Sequence, residues 1–432
     1  LMLRYLGKWI DMYFQFLDVE IIKKMAMAMS SFVTLSDIEA ATSYIGKSGL
    51  VRRTPLLHNF DVPNLVKNPK KQNKTALPPS PSPQTLSLHL KLESLQHTGS
   101  FKIRGMTNCF RMHEDAIRKH GAVTLSAGNA GRSFAFLCGR LNVKSTVCMP
   151  NTVPKDRVET IEGLGSTVEL VPGVELMAAV DRYTREGRIL IHPFDDKDLI
   201  AGHGSIGLEL LEDMPDLGKG DVVAVCCGGG GLVSGVAAAL KLKGCQARVV
   251  AVEPEGSPCM TASLALGRAA NEGKGDFHTE TIAHGLAPPF AGDITFQHVQ
   301  KFVDEVILVS DAELVAATRV MYEHGFVCET SGCAGVAAAM AGKLVSKKGE
   351  EGVSCQGRIV CVVSGSNIST YDLYHETIVG LESTDIDTVE GGVVGSGVRE
   401  ESRTEGGRWM LMSALAMLVG VGAGWSLRSR YH

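Results

Sequence analysis

Short apolar, β-branched runs alternate with amphipathic segments along residues 120–363, and this alternation predicts parallel strands joined by helices. The predicted strands are residues 123–125, 146–149, 167–170, 189–192, 222–226, 249–252, 306–309 and 359–363. The predicted helices include residues 132–141, 232–242 and 312–322. The pattern therefore indicates an α/β fold with parallel-rich sheets and helices on both faces.

The strands fall into two groups, which predicts two domains within the 432 residues. Residues 120–195 would form a small domain, and residues 30–119 together with 196–378 a large one. Binding loops in such folds lie at the carboxyl ends of parallel strands. A site between the two domains is therefore expected.

Other segments lack the composition of a packed core. Residues 67–83 contain a lysine-rich run and clustered prolines, which is typical of a flexible insertion. Residues 1–29 are apolar but interrupted by charges, so we expect a leader that is not part of the fold. Residues 379–407 are rich in Gly, Ser, Thr and charge and indicate a linker.

The C-terminal tail, residues 408–432, contains an uncharged apolar run from 409 to 427. A helix of that length, at about 1.5 Å per residue, nearly matches the ~30 Å hydrocarbon thickness of a bilayer. Its glycines and alanines make it only moderately hydrophobic. A membrane anchor and a helix that docks on a protein surface both remain open.

Composition excludes some classes of function. The net charge is −4 and the basic residues form no cluster, so no nucleic-acid partner is predicted. The chain has eleven cysteines and no Cys-x-x-Cys pair, which favours buried reduced thiols over disulfides or a zinc site. We expect a cytoplasmic protein, or one anchored by its tail to an intracellular membrane and facing the cytosol.

Lys102 is the first residue with candidate chemistry. It lies in Gly-Ser-Phe-Lys-Ile-Arg-Gly, directly after Phe101 and between a turn and a predicted helix. Burial there would lower the pKa of the amine and make it a nucleophile for an aldehyde. Alone, the motif fits a solvated surface lysine equally well, so the interpretation depends on the neighbouring motifs.

A glycine-rich loop follows the strand predicted at 222–226. Its residues are Gly228, Gly229, Gly230, Gly231 and Leu232. Backbone N–H groups freed by the glycines, next to a helix N-terminus, form an anion site suited to phosphate. A dinucleotide fingerprint does not fit, because Val233 or Ser234 stands where its third glycine belongs. A packing turn is the alternative.

Two further loops complete a candidate cofactor site. The first consists of Ser126, Ala127, Gly128, Asn129 and Ala130. Its N–H groups would bind a substrate carboxylate and Asn129 would donate to a phenolate oxygen, although a helix cap also explains the sequence. Ser364, after the strand predicted at 359–363, would hydrogen-bond a pyridine nitrogen. Amine, amide, phosphate loop and serine together predict pyridoxal 5'-phosphate (PLP).

In this order the motifs resemble the fold-type II PLP enzymes, in particular their serine/threonine dehydratase and serine racemase branch, over about residues 35–377. The resemblance implies a two-domain α/β fold, an amino acid substrate and a homodimer. It implies that Lys102 holds PLP as a Schiff base, that Asn129 binds the ring oxygen and that Ser364 faces the ring nitrogen. The four glycines and Leu232 would hold the phosphate.

Racemases of this branch have a serine where this chain has Ala127, and a methyl group cannot exchange a proton. We therefore predict PLP-dependent β-elimination of L-threonine, L-serine or both to a 2-oxo acid and ammonia. Because too few residues follow the catalytic unit for a regulatory domain, the enzyme would be of the catabolic type. Serine racemase and, from another class, a membrane-attached non-catalytic scaffold are the alternatives.

The segment after the strand predicted at 249–252 resembles the family's cation loop. Cys259 stands where divalent-binding relatives have a carboxylate, which disfavours a hard divalent ion. No metal is predicted with assurance, and a monovalent cation at Glu253 and Ser257 is the alternative.

Overall fold

The computed structural model describes residues 32–63, 85–126, 128–344 and 357–368. The predicted leader, insertion, linker and tail, as well as Ala127, lie outside these residues. The boundaries of the two predicted domains stay a prediction. Among helices in the described ranges, none has the length and apolar character needed to cross a bilayer.

Ten strands and twelve α-helices are present in the described residues. The strands are β1 (Leu56–Pro63), β2 (Thr85–Leu92), β3 (Ala122–Leu125), β4 (Ser145–Pro150), β5 (Thr167–Val171), β6 (Ile189–Leu190), β7 (Val222–Cys226), β8 (Arg248–Pro254), β9 (Glu305–Val309) and β10 (Ile359–Val363). The helices are α1 (Leu35–Lys47), α2 (Lys102–Met112), α3 (Glu114–His120), α4 (Asn129–Leu141), α5 (Lys155–Gly163), α6 (Leu176–Arg185), α7 (Lys197–Asp213), α8 (Gly231–Leu242), α9 (Cys259–Leu266), α10 (Asp293–Phe302), α11 (Asp311–Glu323) and α12 (Ala334–Met340).

The larger sheet has six strands in the order β1-β2-β10-β7-β8-β9. Only β1 runs antiparallel to its neighbour, and the remaining pairs are parallel. Strands β7 and β10 lie side by side and are buried along their whole length, which explains why both are continuous apolar runs. Their carboxyl ends therefore lie next to each other, and the loops that follow Cys226 and Val363 meet there.

The smaller sheet has four parallel strands in the order β5-β4-β3-β6. Helix α4 follows β3 directly and packs on this sheet through a separate apolar cluster that includes Phe134 and Leu137. Ser126 and Gly128, between β3 and α4, therefore lie at the N-terminus of α4.

The predicted α/β class is confirmed, and each of the eight predicted strands is present. Strand β6 is shorter than the predicted 189–192. The sequence analysis missed β1 and β2, although Leu88, Leu90 and Leu92 alternate as a strand requires. Lys91 and His89 on the opposite face are also buried, so polar residues concealed a strand with two buried faces.

Helix α7 packs tightly between α2 and α8 because small residues line both contacts. A Cβ at Gly202 would lie 2.7 Å from the Cα of Gly105 in α2. On the other side, a Cβ at Gly235 of α8 would lie 2.7 Å from the amide nitrogen of Gly204. Since larger side chains would separate the helices, these glycines fix the helix that begins at Lys102 relative to the helix that begins at Gly231.

Candidate active site

Lys102 is held at the carboxyl end of the larger sheet by main-chain contacts with the segment after β10. The N–H of Phe101 donates to the carbonyl of Ser364 at 3.0 Å, and the N–H of Ser366 donates to Gly99 at 2.8 Å. Ser100 forms an isolated antiparallel bridge with Gly365. The structure thus brings Lys102, Phe101 and Ser364 together at this end of the sheet.

The amine of Lys102 lies in an enclosed environment. Its Nζ donates to the carbonyl oxygen of Pro193 at 2.5 Å and lies 5.2 Å from the centroid of the Phe101 ring. Burial lowers the pKa of Lys102 to about 8, although the nearby Cys226 and Glu329 partly oppose this shift. Roughly a tenth of this amine is neutral at pH 7, far more than for a lysine in water. The side chain is suited to nucleophilic chemistry.

The glycine-rich loop connects the end of β7 to α8, as predicted. A Cβ at Gly229 would lie 2.5 Å from the Phe194 ring, and one at Gly228 would lie 2.9 Å from the Cα of Leu286. Gly230 has a φ of +89°, a conformation that favours glycine. No acceptor among the described residues pairs with the N–H groups of this loop, which flank the N-terminus of a twelve-residue helix. The loop fits a phosphate group.

Asn129, the first residue of α4, has a fixed amide orientation. Its Nδ2 donates to Glu329 Oε1 at 2.6 Å, and its Oδ1 accepts from Asn367 Nδ2 at 2.6 Å. Glu329 in turn donates its backbone N–H to the carbonyl of Gly365 at 3.1 Å. These contacts bring Asn129 to the segment that contains Ser364 and leave the second N–H of its amide for a ligand.

Ser126 and Gly128 of the predicted carboxylate loop lie close to each other and to the first turn of α4. The N–H of Gly128 donates to Ser126 Oγ at 3.2 Å, and a Cβ at Gly131 would lie only 2.3 Å from the Ser126 carbonyl oxygen. Ala130 is buried in the first turn of α4. These contacts thus direct this helix N-terminus toward the site, where it favours an anion.

Ser364 lies beside Cys226, at the ends of adjacent strands. It is 3% exposed, and its hydroxyl hydrogen-bonds the thiol of Cys226, whose pKa burial raises to about 11. Neither the thiol of Cys226 nor the hydroxyl of Ser364 carries a full charge. The environment suits a neutral partner for the pyridine nitrogen.

The predicted cation loop lies behind the glycine-rich loop. The carboxylate of Glu253 accepts from the backbone N–H groups of Met260 at 2.6 Å and Thr261 at 2.8 Å, and burial raises its pKa to about 7. Ser257 Oγ is buried without a hydrogen-bond partner in the described part of the chain. No cluster of three or more metal-ligating residues occurs among the described residues. Cation binding here stays a prediction.

Two functional side chains were not assigned roles by the sequence analysis. Glu329 and Asn367 hold the amide of Asn129 from opposite ends. Their separations from Asn129 are 200 and 238 residues, so no local pattern links them to it. Asn367 lies three residues after Ser364, and this short separation is the feature of the sequence that could have indicated its place at the site.

Known proteins are similar to this chain in sequence and in fold. The family model described as pyridoxal-phosphate dependent enzyme matches residues 72–365. The chain belongs to this family. The family assignment makes PLP the cofactor, in agreement with the glycine-rich loop at a helix N-terminus and the enclosed amine. The predicted fold-type II class is likewise confirmed, whereas the role of each individual residue stays a prediction.

Two characterised members of the family share substantial identity with the chain. L-threonine ammonia-lyase of Thermotoga maritima is 38% identical over 286 residues, covering 65% of this chain and 67% of that protein. The catabolic L-threonine dehydratase of Staphylococcus aureus is 33% identical over 376 residues, covering 86% of this chain and 99% of that protein. The second match extends over almost the complete length of that relative.

Solved structures in the family have the same fold. Maize serine racemase superposes with a TM-score of 0.65 at 29% identity, covering 82% of this chain and 99% of the racemase. Threonine deaminase isoform 2 of Solanum lycopersicum gives a TM-score of 0.64 at 27% identity, covering 80% of this chain and 88% of the deaminase. The solved structures with this fold thus include one enzyme named as a serine racemase and one named as a threonine deaminase.

We expect His192 to make the protein sensitive to acid. Its Nδ1 accepts from the N–H of Asp195 at 2.8 Å, and burial, followed by the charge of Lys102, lowers its pKa to about 4. Because the folded pKa is below the unfolded value, the stability tied to neutral His192 is complete above about pH 6.5 and is lost as the pH falls toward 4. Denaturant unfolding of wild type and His192→Asn at pH 7 and pH 4.5 measures this.

The variant retains an acceptor for Asp195 but does not titrate in this range. Its free energy of unfolding should fall by about 2 kcal/mol less than that of wild type over the interval. His120→Asn, at an exposed position, serves as the matched control and should follow wild type. Equal losses in wild type and His192→Asn would contradict the assignment.

Proposed function

We propose that the chain is a PLP-dependent ammonia-lyase that converts L-threonine, L-serine or both to a 2-oxo acid and ammonia. One observation carries the proposal: an enclosed amine of lowered pKa, that of Lys102, lies at the ends of β7 and β10 together with the glycine-rich loop. The names of the two relatives, both threonine ammonia-lyases or dehydratases, support the same reaction.

Each part of the site has a task in this reaction. Bound PLP supplies an electron sink for the pair left when the Cα proton departs. The neutral Nζ of Lys102 would take that proton. The N–H groups of Gly228 to Leu232 would hold the phosphate, and Asn129 would hold the ring oxygen. The turn that begins at Ser126 would receive the substrate carboxylate.

The environment favours elimination over racemisation. Ser364 would give the ring nitrogen a neutral hydrogen-bond partner, which does not favour a long-lived carbanion. Racemisation also needs a second proton-exchanging group on the face opposite Lys102. Where racemases of this branch have a serine, this chain has Ala127, whose methyl group cannot exchange a proton. Family membership and the named relatives favour an enzyme over a non-catalytic scaffold.

Partners and location are part of the proposal. The ten cysteines in the described residues are all free, which fits a reducing compartment such as the cytoplasm. We infer a homodimer, as the resemblance implies. Attachment to a membrane through residues 409–427 remains the alternative for the tail, which lies outside the described residues.

Product analysis tests the proposed reaction. PLP-loaded protein is incubated with L-threonine or L-serine, and 2-oxo acid, ammonia and the enantiomers of the remaining amino acid are measured. We expect equal amounts of 2-oxo acid and ammonia, with D-serine formed at a small fraction of that rate. Faster formation of D-serine than of pyruvate would establish the racemase instead, and release of neither product would overturn both.

A further inference from the structure

Arg132 is a cation at the site to which the proposed reaction gives no task. It lies in the first turn of α4, three residues after Asn129, and therefore on the same face of the helix. Its Nη1 donates to Asn367 Oδ1 at 2.8 Å, and Asn367 Nδ2 donates to Asn129 Oδ1 at 2.6 Å. One side-chain amide thus separates the guanidinium from Asn129.

The guanidinium retains most of its hydrogen-bonding capacity. Arg132 is half-buried, and its side chain makes one hydrogen bond in the described part of the chain, the one to Asn367. Arginine has five N–H donors, so about four remain for a ligand. No carboxylate of the described residues lies within ion-pair distance, whereas Glu329 is engaged on the opposite end of the Asn129 amide.

Asn367 also holds this arrangement in place. Its Nδ2 donates to the carbonyl of Thr98 at 2.9 Å, and a Cβ at Gly99 would lie 2.4 Å from its Oδ1. Because the contacts to Thr98 and Asn129 hold Asn367, its Oδ1 gives the guanidinium of Arg132 an acceptor of defined position. A partly desolvated, oriented guanidinium is the protein group best matched to a carboxylate.

We propose that Arg132 binds a second carboxylate on the substrate, so that the site accepts 3-hydroxy amino acids with an anionic side chain, the 3-hydroxyaspartate class. This inference rests on the proposed function and names a substrate class for the same site. The α-carboxylate has its own place at the turn beginning with Ser126, one helical turn before Arg132. The second carboxylate is therefore the group that reaches the guanidinium.

The elimination balances for this substrate as it does for threonine. The Cα–H and Cβ–O bonds break, water leaves, and hydrolysis of the resulting enamine returns one water and releases ammonia. 3-Hydroxyaspartate thus gives oxaloacetate and ammonia without an external oxidant or reductant. Lys102 performs the same proton removal as with threonine.

Binding is tested with L-aspartate and L-asparagine, which share a shape and differ by one charge. Neither carries the hydroxyl that leaves, so the change in the visible absorption band of the PLP-loaded protein reports binding alone. Wild type should bind L-aspartate at least about tenfold more tightly than L-asparagine. This ratio corresponds to a difference in binding free energy of about 1.4 kcal/mol. Arg132→Gln, which retains a donor for Asn367 but no charge, should abolish that preference.

Two matched variants separate charge from structure. Arg132→Lys retains the charge without the planar fork and should keep part of the preference for L-aspartate. Arg140→Gln removes an arginine from the same helix, where it lies over the Phe136 ring, and should leave the preference unchanged. An equal affinity for the two ligands in wild type, or a preference that survives in Arg132→Gln, would overturn the inference.

Turnover distinguishes this inference from the proposed function. Arg132→Gln should lower kcat/KM for L-threo-3-hydroxyaspartate by about a hundredfold and that for L-threonine by less than threefold. If threonine is converted but L-aspartate is not preferred, only the inference on Arg132 fails. If the preference for L-aspartate depends on Arg132 but neither threonine nor serine yields a 2-oxo acid, the proposed function is wrong. The carboxylate site at Arg132 is supported in that case.

Discussion

Lys102→Ala is expected to lower 2-oxo acid release from L-threonine by about 10⁴-fold or more. The variant loses the amine that anchors PLP and the base that takes the Cα proton, and positioned general bases alone contribute up to about 10⁴-fold. Steady-state kcat/KM is measured for the PLP-supplemented protein. The visible absorption band of the dialysed variant should also disappear, since no covalent bond to the cofactor can form.

A matched control distinguishes Lys102 from other lysines. Lys301 is exposed, and its Nζ lies 4.2 Å from the centroid of the Phe32 ring, away from the candidate site. Lys301→Ala should retain both the absorption band and the kcat/KM of wild type. Persistence of the band after dialysis of Lys102→Ala would show that another amine holds the cofactor and would contradict the assignment.

The convergence of the main loops could be predicted because it follows from strand order in a parallel sheet. The apolar runs at 222–226 and 359–363 are continuous, as strands buried on both faces must be. Once they are adjacent, the loops that begin at Gly228 and Ser364 meet at one edge. Lys102 could be placed there only through the resemblance, because its contact with Ser364 joins main-chain atoms far apart in sequence.

The contacts that orient the site could not be predicted in the same way. Glu329 and Arg132 are ordinary polar residues in the sequence, and only the folded chain brings them to the ends of the Asn129–Asn367 pair. The enclosure of Lys102 likewise depends on the carbonyl of Pro193, 91 residues away. Local periodicity contains no information about such long-range pairs.

A buried ionic network beneath the site was also absent from the sequence analysis. Arg104 is completely buried and forms ion pairs with Glu93 at 2.8 Å and Glu209 at 2.7 Å. Lys91, also completely buried, pairs with Glu209 at 2.7 Å and with Asp213 at 3.1 Å. The network joins β2, the N-terminal turn of α2 and the C-terminal half of α7. It therefore fixes the helix that presents Lys102, two residues before Arg104.

Arg104→Met should lower the free energy of unfolding by about 3–5 kcal/mol, because it leaves Glu93 charged and buried without its cation. Glu209 retains Lys91, so Glu93 is the group that loses its partner. Denaturant unfolding at pH 7 measures the loss. Arg53→Met is the matched control: Arg53 pairs with Glu212 and Asp213 on the surface with its side chain 49% exposed, and removal should cost about 1 kcal/mol or less.

The pH dependence of the Arg104 effect identifies its cause. Burial is the largest single influence and raises the pKa of Glu93, but in the wild type the charge and hydrogen bonds of Arg104, together with Thr54 and Lys91, outweigh burial and lower this pKa below the ordinary value. The wild type therefore keeps this stabilisation above about pH 4.5 and loses it as the pH falls further. In Arg104→Met the largest opposing influence is gone and only Thr54 and Lys91 still counteract burial. The pKa of Glu93 should therefore rise, and the variant should regain stability as the pH falls from 7 toward 5.

A double variant completes the argument. Arg104→Met combined with Glu93→Gln removes the orphaned charge, and it should recover at least about 1 kcal/mol of the loss at pH 7. The double variant should also lack the gain in stability between pH 7 and pH 5, since no carboxyl group remains at position 93. A loss that is the same in single and double variants, and independent of pH, would attribute the effect to packing around Arg104 instead of to the buried charge.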